Sequence, residues 1–365
     1  MNKKIGIVGA GNMGLVIAWA MEQLEYNLIV IDQNPTAINN CKQQLNNVLE
    51  HTFKTLDNET ENTNWDSVKD CDAVISSLPY HQNLLLARHC IEKNINYFDL
   101  GGNIDSSKAI NRYALHNTQK CVMTDLGLAP GWVNIIAEYI YQEYVAYNQL
   151  IPNDISMMVG GLPQYPNNTL KYACTWSFDG LVNEYKDNCI VLKNGVTQIV
   201  KGMDGYQFPI HGHDTLGPLE AFYTSGGAAH TITTMEQRGV KNCSYKTMRY
   251  PGHHRIVNFL INESKLDNTS IINIFKKSCP PQDDLVIIKV ATDDDSFSFD
   301  KVIKSDQNFS AMQKSTAFPI AAVAHTVLIL DISQSVLKYD DIPYPQFNKT
   351  LNQLFEASTL FAKES

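Results

Sequence analysis

The chain lacks an excess of positive charge: 29 Lys plus Arg stand against 38 Asp plus Glu in 365 residues, a net charge of −9 at pH 7. With no Lys/Arg-rich run to offset that balance, the field that gathers phosphate backbones is missing, and nucleic acid is not an expected partner. Paired cysteines are missing too. The eight present (Cys41, Cys71, Cys90, Cys121, Cys174, Cys189, Cys243 and Cys279) are scattered, with no CxxC pair and no histidine spacing of a zinc site. They read as reduced core thiols. No apolar run reaches the ~20 residues that cross a bilayer. The longest, residues 317–330, is interrupted by Pro319 and His325 and reads as a core helix, so no membrane partner is expected. The first buried strand starts within a few residues of Met1, which leaves no room for a secretory leader, and a cytoplasmic location is expected. Internal repeats and low-complexity tracts are absent as well.

What remains is an ordinary globular balance, 44% hydrophobic and 18% charged, in a chain long enough to divide between two cores. In the first third, short apolar runs alternate with amphipathic stretches, the signature of βαβ units on a parallel sheet. Residues 5–8, 27–32, 73–78, 95–100 and 121–126 read as buried strands, and a weak third strand precedes a polar connection at 56–66. Residues 12–25, a segment opened by Pro35, 82–93 and 106–117 read as helices. Six strands with crossovers make a doubly wound domain. After about Tyr147 the pattern turns to strands and hairpins, with Asn194-Gly195 as the strongest short hairpin signal. Residues 284–292 and 297–304 form another pair around Asp293-Asp294-Asp295, an acidic run that lacks the Gly and distal Glu of a calcium loop and reads as a solvated turn. The last fifty or so residues return to helix.

Gly9-Ala10-Gly11-Asn12-Met13-Gly14 is a GxGxxG sequence that follows a strand and opens a helix, and this context makes it a dinucleotide signature. Gly9 permits the tight turn, Gly11 lets a pyrophosphate approach the backbone, and Gly14 lets helix and strand pack closely. Asp32 ends the second strand, where its carboxylate can accept from ribose hydroxyls. Gln33 and Asn34 follow it, with no Arg to pair a 2′-phosphate, so NAD is favoured over NADP. Strand ends line the ligand crevice of a doubly wound sheet. Ser77, Leu78 and Pro79 are therefore cofactor candidates at the fourth strand, Gly101 at the fifth, and Leu128 and Pro130, with Asn134 beyond them, at the sixth.

These residues bring the chain close to a known family. Gly127-Leu128-Ala129-Pro130-Gly131 with Asn134, Gly160-Gly161-Leu162-Pro163, Thr175-Trp176-Ser177, Ser225-Gly226-Gly227, Met248-Arg249-Tyr250-Pro251-Gly252-His253 and Thr316-Ala317-Phe318-Pro319 resemble the saccharopine dehydrogenase family, and within it the lysine 6-dehydrogenase branch. The resemblance implies an α/β protein in two parts. Residues 1–130 would form a Rossmann domain joined by C-terminal helices at 312–365, and 131–311 a mixed α/β domain for substrate binding and dimerisation. A homodimer is expected. It also implies that Arg249 holds a substrate carboxylate, which agrees with the ability of a guanidinium to grip a carboxylate through two parallel bonds.

Two departures bear on the reaction. Saccharopine-forming reductases carry Asp where Ala129 stands and Cys where Val159 stands. Loss of both polar groups favours oxidative deamination of a diamino acid, with L-lysine at its ε-amine leading, over a saccharopine or carboxynorspermidine type reductase. A non-catalytic NAD-binding protein is the reading from another class. The reaction needs a neutral amine, and therefore a base near neutrality. Asp99, Asp125 and His253 are candidates for it, with His211 and His213 also possible, and Lys246, Tyr80, Trp176 and Tyr172 are substrate-binding candidates. His211-Gly212-His213 with His253-His254 lacks a Cys or acidic ligand at fixed spacing, so no metal is expected.

Overall fold

The computed structural model describes residues 3–45, 49–55, 65–211, 216–293 and 295–364. The polar connection expected at 56–66 falls mostly outside these residues, as do Gly212, His213 and Asp294. The chain divides into two compact units, Met1–Trp132 with Gln313–Ser365, and Val133–Met312.

The first unit opens with β1 (Lys4–Val8), α1 (Asn12–Gln23), β2 (Asn27–Asp32), α2 (Pro35–Gln44), β3 (Thr52–Thr55), β4 (Ala73–Ser76), α3 (Tyr80–Glu92), β5 (Asn96–Asp99), α4 (Ile104–Asn117) and β6 (Val122–Met123). All six strands run parallel in the order β3-β2-β1-β4-β5-β6, the doubly wound arrangement. Ile5, Ile7, Val30, Ile31, Val74, Ile75 and Phe98 are buried, as the strands of a parallel sheet covered on both faces must be. Asn34 caps α2 by accepting from Thr36 N–H at 2.9 Å with Pro35 in the first turn, and Asn103 caps α4 through Ser106 N–H at 3.0 Å, each satisfying an orphan donor. The sixth strand is shorter than its apolar run. Asp125 adopts φ 64° and turns the backbone out of the sheet.

The second unit contains α5 (Trp132–Asn148), β7 (Asp154–Pro163), α6 (Phe178–Lys186), β8 (Cys189–Lys193), β9 (Val196–Val200), β10 (Gln207–Ile210), β11 (Leu219–Tyr223), α7 (Thr231–Gln237), β12 (Asn242–Arg249), α8 (His253–Asn258), α9 (Asn268–Ser278), β13 (Asp284–Thr292) and β14 (Ser298–Lys304). Its mixed sheet runs β10-β11-β12-β7-β13-β14, with β8 pairing β12 and β9. Asn194 and Gly195 take φ 52° and 77°, the left-handed pair that a two-residue hairpin between β8 and β9 requires. Ser177 caps α6 through Gly180 N–H at 3.1 Å. Leu181 and Tyr185 of that helix pack with Phe222, Ile271 and Phe275 in one core.

The chain then forms α10 (Ala311–Ile329) and α11 (Tyr344–Glu364). Within the first unit, Phe318 of α10 stacks on Trp19 of α1 with ring centroids 5.7 Å apart, and Phe355 of α11 lies 5.8 Å from Trp132. All eight cysteines are buried and free. Among the described residues no helix is long and apolar enough to cross a membrane.

Candidate functional site

At the carboxyl end of β1 the chain turns tightly, with Gly9 at φ 92° and its N–H given to Ile31 O at 2.8 Å. A Cβ on Gly14 would strike the Gly9 carbonyl, whereas one on Gly11 would meet nothing within 4 Å. Gly11 is the N-cap of α1 and no side chain caps that helix. The first turn, with exposed Asn12 and half-buried Met13, thus offers backbone N–H groups and the positive end of the helix dipole beside open space. That is what a pyrophosphate needs, and the residues fit a dinucleotide.

The strand ends around it are tied together. The Asp32 carboxylate accepts from Ala10 N–H at 2.6 Å and Asn34 N–H at 2.7 Å, which fixes it at the end of β2, with Gln33 exposed beside it. Ser77 donates to Gly9 O at 2.8 Å, joining β4 to the glycine turn. Half-buried Leu78 and exposed Pro79 lead into α3, where Tyr80 is 47% exposed. After β6, Leu128 is buried and Pro130 half-buried in a loop closed by Trp132 N–H donating to Gly127 O at 2.9 Å. Asn134 differs from its expected role. It is fully buried, and its amide donates to Gly227 O, Ala228 O and the Thr231 hydroxyl at 3.0–3.2 Å. It braces the second unit around the Ser225-Gly226-Gly227 turn.

A buried carboxyl, Asp99, ends β5, and a half-buried one, Asp125, stands just beyond β6. Asp99 is 1% exposed and accepts from Gly101 N–H at 2.8 Å and Asp125 N–H at 3.3 Å. Burial first, and the neighbouring Asp125 second, push its pKa up to about 7. Burial also raises Asp125, against the pull of the Ser107 and Thr124 hydroxyls that donate to it at 2.9 and 3.2 Å. A carboxyl held this way, with a second raised carboxyl beside it, can keep its proton up to about neutral pH.

In the second unit a cluster gathers on one face of β12. Arg249 is 3% exposed; its Nε donates to the Tyr185 hydroxyl at 2.9 Å and one Nη to Met248 O at 2.9 Å. Its guanidinium lies over the Tyr172 ring at 4.7 Å and the Tyr185 ring at 5.8 Å, favourable cation–π distances. Trp176 Nε1 donates to the Tyr172 hydroxyl at 3.3 Å, so Arg249, Tyr172 and Trp176 are brought together. Among the described residues Arg249 has no carboxylate within 4.0 Å. Glu220 is its register partner on β11, but that carboxylate accepts from Gly252 N–H at 2.9 Å and His254 N–H at 2.5 Å.

Two expected residues do not serve as expected. His253 is fully buried, with Nδ1 against Leu170 O at 2.7 Å and Nε2 against the Tyr185 hydroxyl at 3.0 Å. Burial and then the charge of Arg249 lower its pKa to about 3, so it is neutral and holds Tyr185 in place rather than acting as a base near pH 7. Lys246 lies three residues from Arg249 on the same strand, an odd offset that points the two side chains to opposite faces. Its amine donates to Gly205 O at 2.8 Å and Gln207 Oε1 at 3.1 Å over the Tyr223 ring. Tyr185 was not legible as a site residue; a tyrosine on the buried stripe of a short amphipathic helix reads as core until its hydroxyl partners are known. Among the described residues no three His, Cys, Asp or Glu gather as metal ligands.

Comparisons with known proteins agree with this architecture. The family model of the saccharopine dehydrogenase NADP binding domain matches residues 5–124, and that of the saccharopine dehydrogenase C-terminal domain matches 127–357. The mitochondrial alpha-aminoadipic semialdehyde synthase of Bos taurus is 27% identical over 153 residues, 41% of this chain but only 16% of that protein. In fold, the chain is similar to the L-Glu-forming saccharopine dehydrogenase of Saccharomyces cerevisiae, with TM-score 0.71, 15% identity and 96% of each chain covered. It is also similar to the homospermidine synthase of Legionella pneumophila, solved with NAD, at TM-score 0.67 and 12% identity over 97% of this chain and 90% of that one. On the two domain matches, which together run through nearly the whole sequence, the chain belongs to the saccharopine dehydrogenase family of NAD(P)-dependent oxidoreductases.

Proposed function

We propose that the chain is an NAD-dependent oxidoreductase acting on a CH–NH or CH–NH2 group of an amino acid, with oxidative deamination of L-lysine at its ε-amine as the leading reaction. The observation that carries this reading is Arg249, a buried guanidinium with no carboxylate partner among the described residues. A buried charge left unpaired is costly, and a substrate carboxylate would supply the missing partner in bidentate geometry. Tyr172 and Tyr185 wall that position with their rings and leave the side-chain amine at the ligand's other end as the reacting group.

When bound, the nicotinamide ring supplies the hydride acceptor for the carbon that carries the amine. Asp32, fixed at the end of β2 with no Arg after it, favours ribose hydroxyls over a 2′-phosphate, hence NAD. The candidate base of the reaction is Asp99, whose carboxyl burial and the neighbouring Asp125 push up to about 7, with Asp125, itself raised by burial, beside it. Ala129 and Val159 support deamination over formation of a secondary amine.

The test is a screen of amino acids and diamines with NAD, following NADH absorbance. L-Lysine alone should generate NADH. NADH oxidation that requires an added carbonyl compound, without NADH formation from lysine, would move the assignment to a saccharopine or carboxynorspermidine type reductase. Tight NAD binding with no turnover in either direction would indicate the non-catalytic class.

A further inference from the structure

A sheet ends in strands whose outer N–H and C=O groups have no ladder partner, and natural chains guard such edges with charge, proline or brevity. Most edges here follow that rule. Among the described residues β3 carries Lys54, β6 has two residues, β10 contains Pro209, and β14 contains Asp300, Lys301 and Lys304. β9 does not follow it. This strand pairs with β8 alone, and its five residues, Val196-Thr197-Gln198-Ile199-Val200, hold neither a charge nor a proline. It also exposes apolar side chains, Ile199 at 72% and Val196 at 59%, beside Ile190 of β8 at 41%.

The bonds already present fix which way the backbone of β9 faces. Thr197 N–H points off the edge, where one oxygen of Glu236 from α7 accepts it at 2.7 Å and the other accepts the Thr197 hydroxyl at 2.8 Å. Alternate residues of an antiparallel strand turn their N–H and C=O groups the same way, so those of Ile199 also face outward. No described residue bonds them. Ile199 stands directly opposite Ile190 in the β8–β9 ladder, and directly opposed side chains share one face of a sheet.

These features are self-complementary. A second β9 laid antiparallel about a two-fold axis at Ile199 lets each Ile199 N–H donate to the C=O of its counterpart, and the exposed Ile190–Ile199 pair continues into the same pair of the other copy. Four isoleucines then line one face, and no charge meets its like. Each β9 has one free edge, so the contact closes at two copies.

We propose that β9 is an interaction surface for the β9 of a second copy of this chain, joined edge to edge about a two-fold axis at Ile199. Five residues a side make a small contact of the transient class, so the dimer should form with Kd in the micromolar range.

The experiment is analytical ultracentrifugation of the full chain over about 1–200 μM, which spans that class, for the wild type, Ile199→Asp, Ile199→Lys and an equimolar mixture of the two variants. Because Ile199 is exposed, neither substitution should change the melting temperature of the dilute chain. The wild type should pass from monomer to dimer as concentration rises. Each variant alone should raise Kd by about tenfold or more, because like charges oppose one another across the axis. The mixture should regain the wild-type association, since Asp meets Lys only where residue 199 faces its own counterpart. A wild type that stays monomeric throughout, an assembly that either variant leaves intact, growth beyond two copies, or variants that dissociate and stay apart when mixed would each overturn the edge pairing.

Discussion

Arg249 and Tyr185 are joined at 2.9 Å with the guanidinium Nε donating to the phenol oxygen, and the phenol hydrogen is thereby directed to His253 Nε2 at 3.0 Å. The imidazole then carries its own proton on Nδ1 and gives it to Leu170 O at 2.7 Å. This tautomer follows from the direction of the bonds, since Arg249 can only donate and Leu170 O can only accept. The result is a one-way relay of four groups that holds the guanidinium by its Nε.

Removing the Tyr185 hydroxyl should therefore cost more than one bond. Tyr185→Phe strands Arg249 Nε and His253 Nε2 in a buried setting, at roughly 1–3 kcal/mol for each unsatisfied group. The melting temperature should drop by several degrees, and KM for the amino acid should rise while NAD affinity holds. An unchanged melting temperature and KM would mean that the relay contributes nothing.

Arg249→Ala should lower kcat/KM for L-lysine by about 2–5 kcal/mol of transition-state binding, the range for truncating one member of a buried charge pair. Arg249→Lys keeps the charge without the planar fork and should recover part of that loss. Cadaverine has no carboxylate; the wild type should use it poorly and the variant little worse. Equal losses on lysine and cadaverine would place Arg249 in the fold instead of the site.

Asp32 should make NAD the better cofactor, because its carboxylate repels a 2′-phosphate and accepts from the ribose hydroxyls. Asp32→Ala should narrow the difference between NAD and NADP, measured as Kd by fluorescence titration. The same variant removes the bonds to Ala10 and Asn34 N–H, so both cofactors should also weaken somewhat. A wild-type preference for NADP would refute this role.

Asp99 should leave a mark on the pH dependence of stability. Its carboxyl titrates at about 7 in the folded chain against roughly 3.9 when unfolded, so between those values the folded state holds a proton that the unfolded state has lost. Stability from this group therefore declines as pH rises from about 4 to about 7, with the whole penalty in place above 7. Asp99→Asn keeps an oxygen for Gly101 and Asp125 N–H and removes the titration. Its melting temperature relative to wild type should climb across that window. A constant difference at every pH would show that Asp99 is an ordinary carboxylate.

Much of the fold was legible because the signals are local. The glycine spacing between β1 and α1, Pro35 at the start of α2 and Asn194-Gly195 between β8 and β9 each demand a particular backbone conformation from adjacent residues, and the structure contains all three. The parity of Lys246 and Arg249 would also have been readable once residues 242–249 were recognised as a strand, since an odd offset alternates faces. Asn134 and His253 could not be judged in this way, because whether a polar side chain meets a ligand or a buried carbonyl depends on segments far away in the chain.

The sequence by itself determined the parallel dinucleotide sheet, the glycine turn after β1 and the acid at the end of β2, all carried by short-range spacing or by a motif in one stretch of chain. Only the tertiary structure decided what surrounds Arg249. It brought Tyr172 from a loop, Tyr185 from α6 and His253 from α8 to one face of β12, directed the Glu220 carboxylate away to the amides of α8, and left the guanidinium without a carboxylate partner among the described residues. The physical reason is that burial and charge pairing are properties of the folded neighbourhood: a residue's partners across long sequence separations settle whether its charge is satisfied, shifted or left to bind something else.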